Sequence, residues 1–118
     1  MDVFKIALPL KSEYLTTVRL TTGGVCAVAE FDVDSTEDFK VCVTESLLVL
    51  KRNGFLAAEI CFEVGEKLIC KIEGTERGGE KEQGAEDEIS YALLNALLGE
   101  VAYDKEEDGG VLAVRFEA

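Results

Sequence analysis

The chain has 118 residues, 47% of them hydrophobic, enough for one globular domain over residues 1–118 that buries roughly 65% of its unfolded surface without a disulfide or metal staple. Twelve basic residues against twenty-four acidic ones give a formal net charge of −12, a field that repels phosphate backbones and anionic membranes and argues against nucleic acid or a membrane as partner. No contiguous apolar run, Leu47–Leu50 included, comes near the length of a membrane span, and Met1–Lys5 lacks the architecture of a signal peptide, so a cytoplasmic protein is expected.

Val3–Leu8 reads as a short strand ended by Pro9, the only proline, which cannot donate a ladder hydrogen bond. Ser12 then stands as N-cap before a first helix in which Leu15, Val18, Val25, Val28 and Ala29 recur at helical spacing. Gly23-Gly24 inside it marks a bend or a close approach. A turn at Phe31–Asp34 leads to Ser35-Thr36-Glu37-Asp38, a cap followed by first-turn acids that suit the positive end of a helix dipole. Phe39, Cys42, Val43, Leu47 and Leu50 make the apolar stripe of this second helix, which stops at Arg52-Asn53-Gly54.

Leu56–Val64 and Lys67–Glu73 alternate as the strands of a hairpin. Its register follows from the demand for an apolar face: Ile60 opposite Ile72, Phe62 opposite Cys70 and Val64 opposite Leu68, with a three-residue connection. Cys70 then points inward and Cys61 outward, with no disulfide between them. Residues 74–88, rich in glycine and acid, read as a mobile loop. Ile89, Ala92, Leu93, Ala96 and Leu97 set a third helix stopped near Gly99, and Val101–Tyr103 and Val111–Phe116 form a last hairpin. The order β-α-α-β-β-α-β-β predicts an α+β two-layer sandwich, helices on one face of a mainly antiparallel sheet.

Cys26, Cys42, Cys61 and Cys70 contain no Cys-x-x-Cys pair, and no histidine is present to complete a zinc site. Each sits among aliphatic residues, as small buried hydrophobes of a reducing compartment do. Without histidine, Ser-His and Cys-His nucleophile pairs are excluded.

The element order, together with Ala7–Tyr14 entering the first helix, Arg19 and Gly23-Gly24 within it, Glu37–Glu45 in the second and Leu93–Val101 near the end, resembles the bacterial anti-sigma regulatory factors. These are small serine-protein kinases with the histidine-kinase-like ATPase fold. The resemblance implies that fold, an ATP site closed by a flexible lid, Mg-ATP as cofactor of phosphoryl transfer to an anti-anti-sigma partner, sequestration of a sigma factor, and homodimers.

The chemical motifs depart from the family pattern. In its second helix the family has Glu-x-x-x-Asn, the Asn a magnesium ligand; here Glu45 is followed by Val49, which has no donor for a hard cation. The adenine-reading Asp is replaced by Glu73, with the glycines of 74–79 displaced. The phosphate-cradling Gly-x-Gly becomes Glu88-Ile89-Ser90, and Glu86, Asp87 and Glu88 put carboxylates where a triphosphate would sit. Each such charge pair at ~5 Å costs roughly 3 kcal/mol at an effective dielectric of about 20. Glu45 is therefore at most a vestigial catalytic residue, and no cofactor or metal ligand is assigned. The expected role is anti-sigma-like regulation through protein contacts, with an active ATP-dependent serine-protein kinase as the alternative.

Overall fold

The computed structural model describes residues 1–82 and 85–118. These form strands β1 (Asp2–Pro9), β2 (Asn53–Val64), β3 (Leu68–Lys81), β4 (Val101–Lys105) and β5 (Val111–Glu117), helices α1 (Leu15–Val28), α2 (Val33–Arg52) and α3 (Ala85–Leu98), and a 3-10 turn at Ser12–Tyr14. The sheet runs β1-β2-β3-β5-β4, antiparallel at every pairing. The central helix α2 packs on β2, β3 and β5 and is flanked by α1 and α3, which gives the expected α+β layers.

The hairpin register is the one an apolar face demands: Ile60 pairs with Ile72, Phe62 with Cys70 and Val64 with Leu68, across Gly65-Glu66-Lys67. Ile60, Phe62, Leu68, Cys70 and Ile72 are buried, while Cys61 pairs with Lys71 on the opposite face. Burial pushes the Cys70 thiol far up, that of Cys42 to about 12 and that of Cys26 to about 11, so all three pack as neutral apolar groups. From α2, the whole stripe Phe39, Cys42, Val43, Leu47 and Leu50 enters the core. Phe39 meets the edges of Phe31 and Phe116, with ring centroids 5.7 and 5.2 Å away.

Several local expectations are corrected. Ser12 does not cap α1; it opens the 3-10 turn, and α1 begins at Leu15 with no side-chain cap. The buried stripe of α1 is Val18, Thr22, Val25 and Cys26, and Val28 is 70% exposed, because the small side chains of Thr22 and Cys26 take the buried positions instead. Helix α2 starts before Ser35: the Ser35 amide donates to Asp32 Oδ1 at 2.7 Å, and Asp32 is the cap. Phe31, anchored against Phe39, fixes the chain's entry there.

The largest correction concerns the polar segment after residue 73. Instead of a loop, β3 continues to Lys81, paired with β2 back to Asn53 through register shifts, and α3 begins at Ala85. Residues 83 and 84 of the expected loop lie outside the described residues. In α3 the buried positions are Ser90 and Leu94, while Ile89 is 64% exposed, so the stripe is turned by about one residue from the expected one.

Candidate functional site

Three segments carry the positions singled out in the sequence: the middle of α2, the far half of β3 and the first turn of α3. On α2, Thr44 and Ser46 spend their hydroxyls on the carbonyls of Lys40 and Cys42, at 3.0 and 2.8 Å. Glu45, half-buried between them, reaches α3 and accepts a hydrogen bond from Ser90 Oγ at 2.8 Å. It is thus a link between helices rather than a solvated surface group. Val49, one turn on, is fully buried in the core, and its carbonyl accepts from Asn53 Nδ2 at 2.7 Å.

The residue that organises the cluster is Arg52, read in the sequence only as part of a helix stop. It shares a helical face with Glu45 and Val49, the signal that could have found it. Its Nε donates to Asp87 Oδ1 at 2.5 Å, and its Nη2 to Ser90 Oγ at 2.5 Å and to the Glu86 carbonyl at 3.5 Å. Ser90 is buried, and the side chains of Arg52 and Asp87 are only 14% and 20% exposed. A relay of donors therefore runs Arg52, Ser90, Glu45, with Asp87 as counter-ion. Of the three first-turn acids, Asp87 is bonded to Arg52, whereas Glu86 and Glu88 are exposed.

The β3 positions are not brought to this cluster. Glu73 pairs with Glu59 and Ala113 and alternates with buried Ile72, so it lies on the face of the sheet away from the helices. Gly74 has a packing role, since a Cβ there would overlap the Phe55 ring. That ring is capped by the Arg77 guanidinium, 4.5 Å from its centroid, and Arg77 is ion-paired to Glu106. Gly79 lies against the backbone of Gly54, whose φ is +88°. The displaced glycines thus serve contacts between β2 and β3.

Beside the Arg52–Asp87–Ser90 cluster opens a cleft of about 290 Å³ lined by Arg52, Lys81, Asp87, Tyr91, Lys105 and the turn at Asp108–Gly110. Within it Lys81 Nζ sits 3.0 Å from Asp108 Oδ2, and hydrogen bonds from the Gly110 amide and Lys81 hold the Asp108 carboxyl below its usual range. Among the described residues no group of three acidic or thiol side chains is placed to hold a metal ion. Arg19 of α1 donates from Nε to Thr44 Oγ1 at 3.3 Å, outside the cluster. No helix among the described residues is long and apolar enough to cross a membrane.

No protein-family profile matches the chain. Curated proteins do: the serine-protein kinases RsbW of Staphylococcus aureus strains bovine RF122 / ET3-1 and Newman are each 28% identical over 113 residues, covering 91% of this chain and 64% of each relative. The chain therefore spans less than two thirds of the length of the relatives it matches. With its α+β architecture, this chain is thus similar, at a distance, to the RsbW serine-protein kinases.

Proposed function

We propose that the chain is an anti-sigma-factor-like regulator that works by binding a protein partner in the cytoplasm and performs no nucleotide chemistry. The observation that carries this reading is the direct bond of Ser90 to Glu45, with Arg52 held by Asp87. By the resemblance, position 49 would hold magnesium, Glu45 would be the catalytic residue beside it, and residues 88–90 would cradle the phosphates. In this chain Glu45 is spent on Ser90, position 49 is a buried valine, and the basic group nearest the first turn of α3 already has its carboxylate. These residues do not fit Mg-ATP: an entering triphosphate would break the Arg52–Asp87 pair and leave Asp87 facing phosphate, a repulsion of roughly 3 kcal/mol at ~5 Å and an effective dielectric of about 20. The partner we propose is a sigma factor, whose basic DNA-binding surface is opposite in sign to the net charge of −12.

The alternative, ATP-dependent phosphorylation of an anti-anti-sigma partner, draws on the name of the relatives, serine-protein kinase. Calorimetric titration with Mg-ATP separates the two. Binding no tighter than millimolar is expected, and a dissociation constant in the low micromolar range would overturn the proposal in favour of the kinase.

A further inference from the structure

Of the three helices, α3 has the smallest buried footprint. Only Ser90 and Leu94 are buried, against four residues of α1 and eight of α2, and Ile89, Ala92, Asn95 and Ala96 are exposed. Two contacts besides the buried packing of Leu94 hold it. One is the clasp at its first turn, in which Arg52 and Glu45 of α2 take Asp87 and Ser90. The other is Tyr91, set edge-on against Tyr103 of β4 with centroids 5.1 Å apart. At its far end the helix runs into Gly99, whose φ is +79° and around which a Cβ would meet nothing within 4 Å among the described residues.

We propose that α3 is a hinged cover: it opens as a unit by release of the Arg52–Asp87 and Ser90–Glu45 clasp and pivots at Gly99, while α2 and the sheet beneath stay folded. The clasp is poised for release because two carboxylates, Glu45 and Asp87, share one guanidinium, directly or through Ser90. Opening also has a gain to set against its cost. The Tyr103 hydroxyl, on the ring that meets Tyr91 of α3, is buried with no hydrogen-bond partner among the described residues, and water would satisfy it once Tyr91 moves away. The open form would present Tyr91, Leu94, Leu97 and Leu98 as a new apolar strip. The motion stands apart from the question of nucleotide binding, since every group in it belongs to the chain.

Amide hydrogen exchange on the full chain, resolved by residue, tests the proposal. In the wild-type protein the amides of α3 should exchange through openings that respond weakly to low denaturant, whereas those of β2 and β3 around Ile60 and Ile72 should respond steeply. Asp87→Asn should speed exchange within α3 by about tenfold or more and leave α2, β2 and β3 unchanged, and Asp87→Glu should restore much of the protection. Equal acceleration across α3 and the sheet, or none in α3, would overturn the hinged cover in favour of a clasp that serves global stability alone. Should the Asn variant fail to fold, the wild-type measurement still decides, because equal denaturant slopes for α3 and the sheet would refute independent opening.

Discussion

Gly24 and Gly74 are separated by what surrounds them. A Cβ at Gly24, exposed on α1, would meet nothing within 4 Å, whereas one at Gly74 would enter the Phe55 ring, itself only 5% exposed and pinned by Arg77. Gly24→Ala should stabilise the protein by about 1 kcal/mol through helix propensity. Gly74→Ala should cost roughly 1–3 kcal/mol by overpacking. Thermal midpoints moving in opposite directions would confirm the pair, and a neutral Gly74→Ala would show that the ring can move aside. Val49 poses the matching question for the lost metal ligand. Because its side chain is fully buried, Val49→Asn would exchange apolar packing for an amide in the core and should destabilise by about 3 kcal/mol. It should leave Mg-ATP affinity unimproved, since Glu45 stays bonded to Ser90. Denaturant unfolding and titration of the same variant check both halves, and a gain of micromolar affinity would refute the account of the site.

At the scale of elements, legibility followed burial. Helix α2 and the hairpin at Gly65–Lys67 could be read because one face of each carries an unbroken series of large apolar residues, so periodicity fixes both phase and register. The end of β3 could not. Residues 75–81 are exposed on both faces and carry glycine and charge, and their pairing with β2 passes through register shifts that leave no alternation to detect. The same limit applies to the site: Glu45 stood out by its place in a motif, but the role of Arg52 depends on Asp87, thirty-five residues away on another helix. Caps fall between these cases, because Asp32 and Ser35 are both competent and only the packing of Phe31 selects the first. That selection leaves a pH signature. The hydrogen bond from the Ser35 amide lowers the Asp32 carboxyl below its ordinary 3.8, so its contribution is present above that value and lost as the pH falls through the lower folded-state value. Asp32→Ala should therefore lower the thermal midpoint at pH 7 and converge with the wild type as the pH drops below about 3.8. A gap that persists at lower pH would show that the carboxylate is not the cap.

Across the whole molecule the dominant quantity is the net charge of −12. Lys5, Lys40, Arg52, Lys67, Lys71, Arg77, Lys81 and Arg115 already stand in ion pairs, so the acid excess is offset by few uncommitted cations. Such a charge costs stability through self-repulsion, and salt that screens it should raise the unfolding midpoint. The same field acts on anything that approaches. It slows an acidic or neutral partner or leaves it indifferent, and it accelerates a basic one by drawing it in before short-range contacts form. A solubility device would produce the first effect of salt without the second, so the two measurements together separate the explanations. With a basic partner in hand, the association rate should fall several-fold between roughly 50 and 300 mM salt, as the Debye length contracts from above 10 Å to about 6 Å, while the dissociation rate changes little. Stopped-flow mixing at a series of salt concentrations measures both rates. An association rate that stays flat over that range, in a protein whose own stability still rises with salt, would assign the acidity to solubility and withdraw the charge argument for a sigma factor as partner.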